Sequence, residues 1–380
     1  MTAYAHLAPD EVALLRSSEA LARDVLAPLA DAPGLNRPLV RALAEQGLLD
    51  RVLGGAGEVP ALELCLIREG LARHCTEAET AFAVQGLGAH PIRADGDPDV
   101  VAEWLPRLAR GEAVSGFALT EPGAGSDVAA LALRAERDGD GFRLSGEKTY
   151  ISNAPDADVY SVFARTSDRG LTAFAVPRVS EGLSGEPIAL LSPHPIGRLI
   201  FEGVRVPDDH VLGAVDQGFK VAMRTLDLFR PSVGAFAVGM AQAALDAAVA
   251  HVTTRNAFGG TLSELQGVSH QLADVATAVQ AARLLVHSAA SAYDRGIRPT
   301  TAAAAMAKLF ATETAQRAID VAIQVHGARA LEQGHLLEHL YREVRATRIY
   351  EGASEVQREV IARQLFRQRR PASAPPPRAE

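Results

Sequence analysis

Cysteine is nearly absent: Cys65 and Cys75 are the two among 380 residues. They lie in an apolar, helix-patterned stretch, so no disulfide framework holds this chain, and both read as small core residues in a reducing compartment. Aromatic residues are few at 5 %, while nearly half the residues are apolar, with Ala and Leu abundant. That composition favours a mostly helical globular protein over a disordered one. A basic surplus is also missing. The formal charge of -8 excludes a general nucleic-acid binder, whose surface must neutralise phosphates, so any anionic partner has to be met by local Arg and Lys. No run approaches the length needed to span a bilayer, and the opening Met1-Thr-Ala-Tyr-Ala-His-Leu lacks the segments of a secretory signal. No membrane partner and a cytoplasmic location are therefore expected. There is no internal repeat.

At 380 residues the chain exceeds a usual single core, and its texture changes twice. From Asp10 to about Gly111, Val12, Leu15, Ala22 and Leu26 recur at helical spacing, with breaks expected at Pro28, Pro33, Gly54-Gly55 and Pro91. Between about Ser115 and Leu212 come short runs rich in β-branched or aromatic residues, around Phe142 and Leu144, Val159 to Ala164, Leu171 to Val176 and Leu199 to Val206. These predict an antiparallel sheet or small barrel. After Asp216 helical spacing returns. Val268, Leu272, Val275, Val279, Ala282 and Val286 fall at alternating steps of four and three, which puts them on one buried helix face. Gly259-Gly260, Gly296 to Pro299 and Gly327 divide this part into long helices of an antiparallel bundle. The expected division is an N-terminal helical domain over 1–114, a middle β domain over 115–215, a C-terminal helical bundle over 216–368, and a disordered Pro-rich tail over 369–380. That order leaves no strand–helix alternation in which a nicotinamide-binding unit could sit.

Three segments carry chemistry. Phe117-Ala-Leu119-Thr120-Glu121-Pro122-Gly123-Ala124-Gly125-Ser126-Asp127 lacks the third glycine of a dinucleotide fingerprint and the Gly-Lys-Ser/Thr of a P-loop. It does offer two hydroxyls and approachable backbone N–H groups, suited to a flavin's polar edge or a pyrophosphate; taken alone it reads as a Pro-Gly turn. In Gly146-Glu-Lys148-Thr-Tyr150-Ile-Ser152-Asn153 a regular strand would set Tyr150 and Ser152 on one face, an aromatic plane beside a hydroxyl. Taken alone it is a strand with a core aromatic. Arg348-Ile-Tyr350-Glu351-Gly352-Ala353-Ser354 places one carboxylate between an aromatic and a flexible glycine, and an isolated Glu there reads as a solvated helix-start residue.

Together these segments resemble the acyl-CoA dehydrogenase family of FAD enzymes. Thr120 through Asp127 matches the family's flavin loop without departure, and Gly146-x-Lys148-x-Tyr150-Ile-Ser152-Asn153 matches its second flavin segment. Arg255-x-x-Phe258-Gly259 with Gln266, Gln324-x-x-Gly327 and Tyr350-Glu351-Gly352 follow in the family's order. The resemblance spans roughly residues 10 to 368 and is weakest over the first hundred. It implies a mainly α protein with a central β domain: an N-terminal helical domain, a middle antiparallel β-barrel-like domain and a C-terminal four-helix bundle. It also implies FAD, an acyl-CoA substrate, a place in fatty acid metabolism, a homo-oligomer (dimer or tetramer) and electron-transferring flavoprotein as acceptor. Phe117, Leu119, Thr120, Gly125, Ser126, Tyr150 and Ser152 would surround the flavin ring and nearby phosphate. Arg255, Phe258, Gln266, Gln324, Gly327 and Ala328 would hold the adenosine and pyrophosphate, in the family from a neighbouring subunit; Arg255 has the planar fork that binds phosphate oxygens. Ser126, Asp227, Arg230 and Gly352 match substrate-contacting positions, and Glu355 is a further cofactor neighbour.

Oxidation between the α and β carbons of a thioester needs a base on one side and a hydride acceptor on the other. The resemblance makes Glu351 that base, with Ile349 and Tyr350 expected to raise its pKa by desolvation. The alternative family position for the base is Phe229 here, which takes no proton. The resemblance also implies that the Glu351 N–H and a flavin hydroxyl bind the thioester carbonyl. Tyr150 stands where many members have Trp, Ala353 replaces a frequent Thr, and the first domain keeps only Gly54-Gly55 and Gly57 of a Tyr-Gly-Gly pattern. Alternatives are a dehydrogenase of carrier-protein-bound thioesters, an oxygen-using or nitroalkane oxidase, and a non-catalytic descendant that binds acyl-CoA or a protein partner. His335-Leu-Leu-Glu338-His339 also matches a His-x-x-Glu-His zinc string, but so short a string arises easily, the histidines read better as helix-surface residues before the Glu351 segment, and no metal is expected.

Overall fold

The computed structural model describes residues 4–367 apart from Pro33, Gly55, Ala56, Pro193 and Pro299. The expected disordered tail and the breaks at Pro33, Gly55 and Pro299 lie outside the described residues. Helical spacing at the start of the chain gives α1 (Pro9–Leu21), α2 (Arg37–Glu45), α3 (Asp50–Leu53), α4 (Ala61–Ala72), α5 (Thr76–Asp95) and α6 (Pro98–Ala109). Local chemistry fixes several of the ends. Asp97 accepts from the Asp99 N–H at 3.0 Å with Pro98 next in line, and the Asn36 side chain accepts from the Leu39 N–H at 3.0 Å. The break at Pro28 falls in a 3₁₀ turn, Ala27–Leu29, that follows a π segment, Ala22–Leu26. Pro91, in contrast, lies inside α5 and does not end it. An interior proline costs roughly 3 kcal/mol, but Phe82, Ala89 and Ile92 of the same helix are fully buried. Burying a side chain such as Phe or Ile contributes about 1.5–3 kcal/mol, so packing outweighs the local cost. Cys65 and Cys75 are free and buried, as expected.

The middle of the chain forms β1 (Ser115–Ala118), β2 (Arg134–Arg137), β3 (Gly141–Ser152), β4 (Val159–Arg165), β5 (Leu171–Pro177), β6 (Leu183–Pro187), β7 (Ile196–Pro207) and β8 (Val211–Leu212). They make one sheet in the order β6-β7-β3-β2-β4-β5-β8, with β1 beside β4. The sheet is antiparallel as expected except where β1 joins β4 in parallel, Phe117 opposite Ser161, and where β2 meets β4 at Arg134 and Arg165. Strands β1, β2, β6 and β8 carried no apolar run of their own, and pairing with longer neighbours makes them.

The last part holds α7 (Gly218–Thr254), a short hairpin of β9 (Asn256–Ala257) and β10 (Gly260–Thr261), α8 (Gln266–Asp294), α9 (Thr301–His326), α10 (Leu336–Thr347) and α11 (Ser354–Arg367). The predicted stripe on α8 is buried from Leu272 to Val286, and Val268 is half-buried. Helices α7 and α9 run side by side in one direction. Arg230, a third of the way along α7, and Lys308, in the first third of α9, both contact the 351–352 turn, and His251 stacks on His326 at their ends with ring centroids 4.2 Å apart. Gly239 lets α4 approach α7 closely, because a Cβ there would lie 2.5 Å from the Glu69 carbonyl oxygen. On length and composition alone α7 could cross a bilayer, against the expectation that no run approaches that length. However, 72 % of its most apolar 18-residue window is buried inside the protein, as befits the core helix of a bundle.

Candidate active site

The two predicted flavin segments are fastened to each other by a buried ion pair. Lys148 of β3 is 0 % exposed; its ammonium donates to a Glu121 carboxylate oxygen at 2.7 Å and to the Leu119 carbonyl at 2.8 Å. Glu121 also accepts from the Ala132 and Leu133 N–H groups at 2.6 and 3.0 Å, and the Thr149 N–H donates to the Thr120 carbonyl at 2.9 Å. Burial pushes Lys148 down to about 8, against the pull of Glu121. Residues 119–121 are thereby fixed to β3, while beyond them Gly123 and Gly125 have open space where a Cβ would lie, and Ser126 is exposed. Phe117 is half-buried on β1 with its ring 4.9 Å from that of Phe163, and Leu119 is buried.

Strand β3 is not regular where the flavin segment requires it. A bulge falls between Lys148 and Ile151, and Tyr150 has a left-handed φ of 56°. The period-two argument for Tyr150 and Ser152 therefore needs correcting, since two residues of β3 stand against one of β7. Around the bulge Tyr150 is 59 % exposed, Ile151 is buried and Ser152 is half-buried. Tyr150 is thus exposed on the sheet domain, and Ser152, Phe117 and Thr120 are each partly accessible.

Glu351 sits in a tight turn between α10 and α11 with φ 49°, followed by Gly352 at φ 95°. A left-handed L-residue costs roughly 1–2 kcal/mol, so the turn must be held from outside. The Glu351 carbonyl accepts from Arg230 Nε and Gln357 Nε2, both at 3.4 Å; the Gly352 carbonyl accepts from Lys308 Nζ at 2.7 Å and Gln357 Nε2 at 2.9 Å. Glu351 Oε2 is buried without a hydrogen-bond partner among the described residues. Burial raises the Glu351 pKa, and Arg68, Arg230 and Lys308 oppose the rise. Ile349 was expected to help desolvate the carboxylate, but it is 58 % exposed and turned away from this task. Tyr350 is half-buried, and its phenol is raised by burial and by Glu79.

Asp227 and Arg230 of α7 pair at 3.2 Å, and Asp227 also accepts from Thr301 at 3.3 Å. The structure therefore gathers Glu351, Gly352, Arg230 and Asp227. It also adds residues that spacing had not singled out. Arg68 of α4 is 2 % exposed, forms a short ion pair with Glu79 of α5 and donates to Ser232 of α7 at 2.6 Å. Arg68 and Glu79 both act on Glu351. The signal that could have found Lys308 is a lone charge inside an otherwise apolar helical stretch, since such residues are rarely buried without a partner.

The sheet domain and the base meet through one loop. The Asn153 N–H, next to Ser152, donates to the Pro195 carbonyl at 2.7 Å, and His194 pairs with Glu343 of α10 at 2.5 Å. Glu343 in turn acts on Tyr350. His194 is raised by Glu343, Glu79 and Glu77 against a burial penalty larger than any one of them. Glu355 is exposed on α11, where it pairs with Arg358 at 3.4 Å and also acts on Lys308. The His-x-x-Glu-His string does not converge. His335 caps α10, Glu338 pairs with Arg342 at 2.7 Å, and His339 contacts Thr76 at 2.6 Å.

The remaining predicted residues lie elsewhere. Arg255, Phe258, Gln266, Gln324, Gly327 and Ala328 are exposed at the far end of α7 and α9, Phe258 to 92 %. From Arg230 to Arg255 is ~37 Å along the helix. Arg255 thus lies far along α7 from the Arg230 that contacts the Glu351 turn.

Models of three protein domains match this chain nearly end to end: the acyl-CoA dehydrogenase N-terminal domain over residues 8–112, the middle domain over 116–204 and the C-terminal domain over 216–366. The chain belongs to the acyl-CoA dehydrogenase family. This acyl-CoA dehydrogenase is similar to the cyclohexane-1-carbonyl-CoA dehydrogenase of Geobacter metallireducens, 36 % identical over 91 % of this chain and 95 % of that one. It is also similar to the mitochondrial short-chain specific acyl-CoA dehydrogenase of Bos taurus, 38 % identical over 86 % and 82 %. Among solved structures, the butyryl-CoA dehydrogenase of Megasphaera elsdenii superposes with a TM-score of 0.87 at 31 % identity, covering 95 % of this chain and 99 % of that one. Membership makes it an FAD-dependent oxidoreductase acting on the CH–CH group of an acyl-CoA. The residues present fit FAD. The exposed Tyr150 and the partly accessible Ser152 suit a planar ring, and the exposed Arg255 and Phe258 suit a phosphate and an adenine.

Proposed function

We propose that Glu351 is the base that removes the α-proton of a short acyl-CoA thioester. FAD, when bound on the Tyr150–Ser152 face, supplies the acceptor for the β-hydride. The reading rests on one observation: a carboxylate oxygen buried without a hydrogen-bond partner among the described residues, in a held left-handed turn. A buried, unspent carboxylate of raised pKa is suited to taking a proton near neutral pH. None of the described bonds uses the Glu351 N–H, which leaves it to donate to the thioester carbonyl and stabilise the enolate as charge develops. Arg230 and Asp227 orient the pantetheine side of the ligand. A short acyl group is favoured because Arg68, Glu79 and Ser232 are buried beside the base, and charged groups make a poor wall for a long alkyl chain.

The family resemblance supports a homo-oligomer, in which the exposed Arg255 end of one copy serves the cofactor lying against another copy's Tyr150. Electron-transferring flavoprotein is the acceptor in keeping with the family resemblance. The deciding experiment is anaerobic titration of the yellow enzyme with short, medium, branched and aromatic acyl-CoAs. The wild type is expected to bleach with the short ones. Glu351→Gln is expected to keep FAD and bind the same ligands without bleaching, and full bleaching of that variant would remove Glu351 from its role.

A further inference from the structure

Lys308 of α9 is 0 % exposed, and among the described residues its ammonium makes one hydrogen bond, to the Gly352 carbonyl at 2.7 Å. No carboxylate lies within salt-bridge reach of it among the described residues. A buried ammonium resting on a backbone carbonyl is costly unless it holds something that matters. What it holds is the turn whose two residues both have positive φ. The Glu351 carbonyl has only two long contacts at 3.4 Å, so the shorter bonds from Lys308 and Gln357 to the next carbonyl anchor the base.

We propose that Lys308 is a positioning residue for the oxidation: it locks the Glu351–Gly352 turn in its left-handed form and sets a positive charge beside the base. This inference rests on the reading of Glu351 as base. The groups acting on this point are Arg68 from α4, Glu79 from α5, Arg230 from α7, Glu313 from α9 itself and Glu355 from α11. Arg68 and Arg230 stay charged throughout the useful pH range. Lys308 does not, because burial pushes it down to about 8 despite Glu351. Its charge favours ionised Glu351, so removing it raises the pKa of the base and moves the rising limb of the rate profile to higher pH.

The test is stopped-flow anaerobic flavin reduction at saturating acyl-CoA between about pH 6 and about pH 9, for the wild type, Lys308→Met, Lys308→Gln and Glu351→Gln. FAD content and the spectral shift on acyl-CoA binding report folding and binding separately. Lys308→Met is expected to reduce flavin about 100-fold slower with binding retained. Lys308→Gln keeps a donor without the charge, so it should recover about tenfold of that loss at high pH with its limb displaced upward by about half a unit or more. If Lys308→Met does not retain FAD, Lys308→Gln decides. A Lys308→Gln enzyme within about threefold of the wild-type rate and with an unmoved limb overturns the proposal. Bleaching by Glu351→Gln would sink the base itself, whereas an inert Glu351→Gln beside an unaffected Lys308→Gln sinks Lys308 alone.

Discussion

Replacing Glu121 with alanine strips a partner from two buried donors at once, the Leu133 N–H and the Lys148 ammonium, which keeps only the Leu119 carbonyl, and from the more exposed Ala132 N–H as well. Breaking one side of a buried pair costs roughly 3–5 kcal/mol, and each orphaned buried donor about 1–3 kcal/mol. These terms overlap, so about 4 kcal/mol is expected, a large part of a typical folding stability of roughly 5–15 kcal/mol. Lys148 can lessen the loss by releasing its proton, which is accessible because its folded-state pKa is already down to about 8. Without Glu121 that pKa falls further. The unfolded chain then binds the proton over a wider range than the native one, and the variant's deficit shrinks as pH rises towards about 8. The assay is urea unfolding with flavin absorbance at pH 6, 7 and 8. Flavin should be lost ahead of global unfolding, since the pair fastens residues 119–121 to β3. Glu121→Ala with Lys148→Met should be more stable than Glu121→Ala alone. A single variant that loses under about 1 kcal/mol and keeps its FAD would refute the reasoning, because it would mean the pair does not hold the loop.

Two further outcomes follow from charges elsewhere. The Arg255 side chain makes no hydrogen bond or ion pair among the described residues, so Arg255→Ala should leave thermal stability nearly unchanged. It should weaken FAD binding about tenfold or more, the worth of a charge-assisted hydrogen bond, and an unchanged dissociation constant by flavin fluorescence would count against its role. His194 is raised above the usual imidazole pKa by Glu343. Its contribution to stability is therefore full below about pH 6.5 and fades as pH rises through the higher folded-state value. The gap in melting temperature between wild type and His194→Gln should narrow from pH 6 to pH 9, and a constant gap would show that the pair does not titrate in that range.

The order of helices, strands and helices was legible because helical spacing gives way to short β-branched and aromatic runs and then returns, and such texture is a local property. The long strand at Val159 and the buried face from Leu272 to Val286 needed no partner to be recognised. Strands β1 and β2 are four residues each and exist because longer strands pair with them. Pro91 misled because local backbone cost was weighed without the burial that offsets it, and Ile349 misled because a neighbour in sequence was taken for a neighbour in space.

By itself the sequence determined which chemical groups are available and in what order: the Thr120 loop, the Tyr150–Ser152 segment, the Arg255 and Gln324 sets, and Glu351 with its glycine. Only the tertiary structure decided that Glu121 and Lys148 bind two segments into one, and that Arg68, Glu79, Arg230 and Lys308 act on the base from four helices. It alone also decided that Arg255 and Gln324 lie at the end of α7 and α9 away from Arg230 and Lys308. The reason is physical: a charge or a turn can be read from a few adjacent residues, but desolvation and pairing depend on groups brought together from distant parts of the chain.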